Sequence, residues 1–199
     1  ANGTDFFIID TEYNNSQGGQ DDLVAIQWDS VGHLRKLPLG YFPKLSVIEM
    51  KYGDNSLADT SGLIAHLKHW IKFFSNTERV DSFRREMITL LQQKRRLGLI
   101  PGLIGGDNDL HEFHEKMQVI FLLANHDPAK TKLSKILKNI RENYCHKIHN
   151  LPFELKFYVA NFAGYGLYKE GLLSLEEFMK HPGVCNVECE NKLQRKQLL

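Results

Sequence analysis

Short apolar runs separated by turn residues dominate the first part of the chain. Residues 5–10 contain four consecutive apolar positions, which is typical of a strand covered on both faces. Residues 23–28 predict a second strand and residues 34–41 a third, and the turn signal at 29–32 joins these two in a hairpin. We therefore expect a sheet that begins with antiparallel strands.

The rest of the chain shows mainly helical periodicity. Apolar residues recur at helical spacing at Leu63, Leu67, Trp70, Ile71 and Phe74. A short apolar run at 99–104 predicts a fourth strand, and Ser174 with Glu177 forms a capping box before a last short helix. The other predicted helices cover about 60–75, 81–96, 109–124 and 130–144, and one more begins at Pro152 and continues to Phe162.

The order of these elements is three strands, a helix, a fourth strand and then further helices. This order predicts an α/β layer fold in which the sheet gains a parallel strand through a crossover. The chain has 199 residues, of which 42% are hydrophobic, and these values suit one globular domain over residues 1–199. The segment of about 170–199, which contains cysteines and a histidine, is expected to form a C-terminal extension.

Two carboxylates follow the first apolar run, in the string Asp10-Thr11-Glu12. Side chains alternate along a strand, so Asp10 and Glu12 are expected to point to the same side where the strand ends. Their negative charges repel, and a divalent cation that prefers oxygen ligands, Mg²⁺ or Mn²⁺, would relieve that repulsion. The alternative interpretation is a pair of solvated loop residues beyond a strand.

Three short motifs in the chain share their order with those of a known family. The Asp-x-Glu string at 10–12 resembles the first motif of the DEDD 3′–5′ exonucleases, a superfamily with an RNase H-like fold. Asp109 resembles the second motif, while Asp107 is better placed as a helix N-cap. His149 and Glu154 resemble the His-x4-Asp motif of the DEDDh branch, with a Glu in place of the Asp. The resemblance implies an RNase H-like mixed sheet flanked by helices.

The resemblance also implies a function and a role for each motif residue. Two Mg²⁺ or Mn²⁺ ions would be held by Asp10, Glu12, Asp109 and Glu154, and His149 would act as general base in 3′–5′ exonuclease action on nucleic acid. RNA, in single-stranded form, is slightly favoured over DNA. His149 can also be read as a loop histidine or a zinc ligand.

Glu154 is the main departure from the family pattern, because no Asp occurs after residue 127 to take its place. Either the site accepts the longer side chain or the chain has lost catalysis. The alternative function is therefore a catalytically inactive RNase H-like module that binds RNA or a protein partner.

Cysteine and histidine residues cluster in the last third of the chain. Cys145, His181, Cys185 and Cys189 could close a tetrahedral structural zinc site. The alternative is three unrelated thiols buried as small apolar groups. An odd number of cysteines does not suit a disulfide framework, which indicates an intracellular protein, cytoplasmic or nuclear.

Charge and hydropathy narrow the possible partners. The net charge of +1 gives no global field for a polyanion, so local basic clusters would have to bind nucleic acid. Tyr13 and Tyr41 could stack a base. The alternative interpretation, that the basic residues form ordinary solvated helix faces, is the favoured one. No apolar run approaches the ~20 residues of a membrane span, so no membrane partner is expected. The local basic clusters that could bind nucleic acid are Arg84-Arg85, 94–96, and Lys192 with Arg195 and Lys196.

Overall fold

A five-stranded mixed sheet forms the centre of the protein. The structure, a computed structural model, describes residues 4–15, 19–27, 42–100, 110–126, 131–160 and 166–181. The strands follow one another across the sheet in the order β1-β2-β3-β4-β5. The first three pair antiparallel and the last three pair parallel. The bounds are β1 Phe6–Asn15, β2 Gly19–Gln27, β3 Leu45–Tyr52, β4 Met117–Ala124 and β5 Phe153–Ala160.

Helices provide the second layer of the fold. They are α1 Leu63–Phe74, α2 Thr77–Arg96, α3 Thr131–Asn143, α4 Cys145–Ile148 and α5 Leu175–Met179. The Asn76 side chain caps α2, and Ser174 with Glu177 forms the predicted capping box of α5. Within the described parts of the chain, no helix is long and apolar enough to cross a membrane.

The main hydrophobic core lies between the sheet and these helices. Trp70 of α1 is almost fully buried, and its ring packs against Phe121 of β4 at a centroid distance of 4.9 Å. Phe157 of β5 in turn lies between Phe121 and Phe178 of α5. A smaller apolar cluster around Ile48 lies apart from this core, against residues near 167–172. The α/β class and the helices predicted over 60–75, 81–96 and 130–144 are thus confirmed.

Two predicted helices are wrong, because both segments are strands. The helix expected over 109–124 is replaced by β4, in which Val119, Ile120 and Phe121 are all buried between β3 and β5. The helix expected from Pro152 is replaced by β5, where buried Phe153 and Phe157 are separated by partly exposed residues. A strand that is buried on both faces, such as β4, has a continuous apolar run that periodicity cannot distinguish from a helix. In β5, the four-residue spacing of Phe153 and Phe157 also fits a helix.

The central strand of the sheet was not predicted at all. Strand β3 occupies 45–52, whereas the third strand was expected over 34–41, which lies outside the described residues. Of the fourth strand expected over 99–104, Leu99 and Ile100 lie outside any strand and the rest is not described. The antiparallel start and the parallel crossover were expected, and among the described residues the strand that makes both pairings is β3.

Phe121 provides a test of this arrangement. Phe121→Ala should lower the free energy of unfolding by about 3–5 kcal/mol, because it opens a cavity between Trp70 and Phe157. The matched control is Tyr52→Ala, since Tyr52 is 70% exposed and Phe121 is fully buried. The control should change stability by less than about 0.5 kcal/mol in urea unfolding. Similar losses in the two variants would contradict the placement of β4.

Candidate functional site

The first sequence-predicted carboxylates lie within a strand and not at its end. Strand β1 continues to Asn15, and its register with β2 shifts between Ile8 and Asp10, as in a β-bulge. Asp10 is partly exposed and accepts a hydrogen bond from the Thr11 N–H at 2.9 Å. Glu12 is exposed and has a φ of 53°. The expected strand end at Asp10 is therefore wrong.

Glu154 lies at the other edge of the sheet, on β5. Strands β1 and β5 are four strand spacings apart, or about 19 Å, so Asp10 and Glu154 cannot share a cation. Both Glu154 oxygens accept hydrogen bonds from Lys44 Nζ, at 3.2 and 3.1 Å. Asp109 lies outside the described residues. The expected four-carboxylate cluster is thus corrected, because the structure separates its first and last members.

His149, the predicted general base, follows α4 and is exposed. Its Nδ1 lies 3.0 Å from Asn150 Oδ1. The residue precedes β5, so it lies near Glu154 in the chain and at the far edge of the sheet from Asp10. The structure does not bring His149 together with Asp10 and Glu12.

Two of the residues predicted to contact substrate, Tyr13 and Arg84, make contacts within the protein. The Tyr13 hydroxyl donates to Glu86 Oε2 at 2.8 Å, and its ring lies 5.1 Å from that of Phe83. Burial, followed by the hydrogen bond to Glu86, raises the Tyr13 pKa. Arg84 donates to the backbone carbonyls of 114 and 115. Tyr41 and the cluster at 192–196 lie outside the described residues.

Of the predicted zinc ligands, Cys145 and His181 are described. Cys145 is a half-buried free thiol on α4, and burial raises its pKa, as does the negative charge of Glu176. Cys185 and Cys189 lie outside the described residues. The zinc site therefore remains a prediction.

A different group of polar residues meets where β3 ends. Because β2 runs antiparallel to β3, its first residues lie beside the last residues of β3. The α1 helix begins soon after β3 and supplies the opposite wall. A cavity of about 370 Å³ forms between these elements. It is lined by Gln20, Asp22, Glu49, Lys51, Thr60, Ser61, Ala65, His66 and His69, and we call it the β3 pocket.

Three side chains form a compact cluster in the β3 pocket. Glu49 and Lys51 are only 3% and 7% exposed. Glu49 Oε1 lies 2.6 Å from Lys51 Nζ and 3.0 Å from His66 Nε2. The second carboxylate oxygen, Glu49 Oε2, is buried and has no hydrogen-bond partner among the described residues. A buried carboxylate oxygen without a partner is costly, so this atom marks a place where a ligand would stabilise the protein.

Two further carboxylates lie beside this cluster. Asp22 Oδ2 accepts the Met50 N–H at 2.7 Å, which fixes Asp22 against β3. Asp21 is buried and accepts the indole N–H of Trp70 at 2.8 Å. Asp21 thus supports the core, whereas Asp22 lines the pocket.

The pKa values of Glu49 and Asp21 show that burial disfavours the ionised forms of these two carboxyl groups. Burial raises the Glu49 pKa to about 7, although the hydrogen bond and charge of Lys51 act in the opposite direction. Asp22 and Asp21 raise it further. The Asp21 pKa is also raised by burial, to about 6. For His66, burial and the charge of Lys51 lower the pKa to about 4, so the ring is neutral at pH 7.

A divalent cation would supply the positive charge that these carboxylates lack. Among the residues that the structure describes, no three His, Cys, Asp or Glu side chains are arranged as a ready-made metal site. Mg²⁺ does not require one, because it commonly binds through one or two carboxylates, several waters and substrate phosphates. Asp22 and the unpartnered Oε2 of Glu49 meet that requirement.

Sequence reasoning missed Asp22, Glu49 and Lys51, although a signal was present. The string Leu45-Ser-Val-Ile-Glu-Met-Lys51 is an apolar run that ends in Glu-x-Lys. Alternation places Glu49 and Lys51 on one face at the end of a strand. Alternation also predicted a cation site at Asp10 and Glu12, but these two residues lie on β1, at the edge of the sheet.

The raised Glu49 pKa can be tested by measuring how the free energy of unfolding changes with pH when no metal is added. A carboxylate whose pKa rises from 4.5 to about 7 on folding stabilises the protein below pH 4.5, and that contribution is lost as the pH rises to about 7. His66, with its lowered pKa, acts in the opposite direction, so a difference measurement is needed. The stability of the wild type relative to Glu49→Gln should fall between pH 4.5 and 7 in urea unfolding with EDTA. A pH-independent difference would contradict the raised pKa.

The chain was compared with known families, characterised proteins and solved structures, and none of the three comparisons found a match.

Proposed function

We propose that the β3 pocket binds a divalent cation and hydrolyses phosphodiester bonds of nucleic acid. The observation that carries this proposal is the unpartnered Oε2 of Glu49, buried in a pocket that also contains Asp22 and Lys51. Two carboxylates for a metal and one ammonium for a phosphate are the components of metal-assisted phosphoryl chemistry.

The chemistry follows from the charges. Mg²⁺ or Mn²⁺ on Asp22 and Glu49 would lower the pKa of a bound water and orient it toward phosphorus. Lys51 would stabilise the negative charge that develops on the phosphoryl oxygens. The water gives up a proton to solvent and its oxygen bonds to phosphorus. The bond to the leaving ester oxygen breaks, and that oxygen takes up a proton from solvent.

The size of the β3 pocket suits a polymeric substrate that places one of its units inside the pocket. Its volume of about 370 Å³ is at the lower end of ligand cavities. One phosphate with its sugar would occupy it, and the rest of the strand would lie outside. Thr60 and Ser61, just before α1, provide hydroxyl donors for phosphate oxygens. RNA and DNA share this chemistry, and single-stranded RNA remains the slightly favoured substrate.

The RNase H-like fold and the 3′–5′ direction remain proposals that rest on the family resemblance. The succession of antiparallel strands, helices and a parallel strand supports the fold. In this proposal, the metal ligands belong to β2 and β3, and Asp10 and Glu12 of β1 take no part.

An inactive binding module is the second candidate. It is favoured by the 2.6 Å ion pair between Lys51 and Glu49, which partly neutralises the carboxylate without a cation. Lys44 does the same for Glu154 at 3.1 Å. A protein that only binds nucleic acid or a partner would keep these pairs.

A degradation assay with matched variants separates the candidates. With Mn²⁺ or Mg²⁺, labelled single strands of RNA and DNA should be cleaved, and EDTA should stop the reaction. Asp22→Asn, Glu49→Gln and Lys51→Met should each lower kcat by about 100-fold or more, since each removes a metal or phosphate contact. Asp10→Asn and Glu12→Gln are the controls and should retain full activity. Loss of activity in these controls would instead locate the metal site on β1, and absence of cleavage by the wild type would favour the inactive module.

Cation binding can be measured independently of catalysis. A ligand at 100 times its Kd stabilises the folded state by about 2.7 kcal/mol, so Mg²⁺ or Mn²⁺ should raise the free energy of unfolding of the wild type. Asp22→Asn and Glu49→Gln should abolish that increase, while Glu154→Gln should retain it. An increase of equal size in all four proteins would show that the cation binds elsewhere.

A further inference from the structure

His66 contacts both charged residues at the end of β3. Its Nε2 lies 3.0 Å from Glu49 Oε1 and 3.3 Å from Lys51 Nζ. The ring also makes a hydrogen bond with the Ser61 backbone. Because Nε2 faces the two β3 side chains, we assign the Ser61 bond to Nδ1.

This assignment fixes the tautomer of the neutral ring. With the proton on Nδ1, Nε2 carries a lone pair. The Lys51 ammonium has only donors, so the 3.3 Å contact is a hydrogen bond from Lys51 to His66. The 3.0 Å contact to Glu49 then joins two acceptor atoms, which repel unless a proton lies between them. Rotation of Glu49 toward a cation would remove this repulsion and leave the Lys51–His66 bond intact.

We propose that His66 is a positioning residue that holds the Lys51 ammonium in the β3 pocket when Glu49 binds a cation. The inference rests on the proposed function and adds a residue to its site. If Glu49 held a cation together with Asp22, Lys51 would lose the carboxylate oxygen that lies 2.6 Å from its Nζ. Its four-carbon stem is flexible, and His66 keeps the ammonium directed at the phosphate.

The position of His66 suits this role. The residue is on α1, a 12-residue helix, whereas Glu49 and Lys51 are on β3. Its side chain is 18% exposed, and its ring lies 6.1 Å from that of buried Trp70. The imidazole is therefore held by core packing on one side and reaches the pocket on the other.

Kinetics of three α1 variants test the inference. Loss of a residue that orients a functional group commonly costs 10–100-fold, so His66→Ala should lower kcat of the Mn²⁺-dependent cleavage by about that factor. The KM should stay within about twofold, because substrate binding does not require the fixed ammonium. His66→Gln, whose amide oxygen can accept from Lys51, should recover most of the loss. Lys68→Ala, at an exposed position of the same helix, is the control and should match the wild type.

The kinetic outcomes separate this inference from the proposed function. Full kcat in His66→Ala, or equal losses in His66→Ala and His66→Gln with unchanged Tm, would overturn the role of His66 while leaving the nuclease intact. No cleavage by the wild type would count against the proposed function itself.

Nitrogen NMR of the histidine side chains gives a readout that needs no catalysis. In the presence of Mg²⁺, His66 should show a protonated Nδ1 and an unprotonated Nε2, and Lys51→Met should shift the Nε2 resonance. His146→Gln, at an exposed position on α4, assigns a remote signal that should not respond. An Nε2 resonance that Lys51→Met leaves unchanged would show that the bond does not exist, and the inference would fail.

Discussion

The burial of Glu49 and Lys51 is the constraint on which the site and its surroundings depend. Two ionised groups that are 3% and 7% exposed must be paired and hydrogen-bonded, since removal from water costs several kcal/mol for each ion. Lys51 satisfies one oxygen of Glu49, while the other has no hydrogen-bond partner among the residues that the structure describes. The core around Trp70 holds α1 in place, and α1 in turn covers the charged end of β3.

The topology of the sheet explains why this site lies at β3. Pairing changes from antiparallel to parallel at this strand, so β3 has the beginning of β2 on one side and the end of β4 on the other. The chain turns away from the end of β3 into α1, which leaves a crevice at the carboxyl end of the strand. Crevices of this kind are where open α/β sheets commonly bind ligands.

The sequence allowed prediction of the amphipathic helices but not of the strand order. Helices α1, α2 and α3 show their buried face directly in the spacing of apolar residues. By contrast, β4 and β5 carry apolar runs whose meaning depends on what covers them, and β3 ends in charged residues that resemble a loop. Local patterns also do not indicate which strand becomes central. The expectation of paired carboxylates at a strand end was therefore reasonable, but it was assigned to β1 and not to β3.

The bulge in β1 has a consequence for the behaviour of the protein in concentrated solution. Among the described strands, β1 is an edge of the sheet, and Ile8 is 38% exposed there. A flat apolar edge would offer its free backbone groups to a second chain. The register shift after Ile8, the carboxylates of Asp10 and Glu12, and the positive φ of Glu12 bend and charge this edge. The two acidic residues therefore oppose edge-to-edge pairing with a second chain.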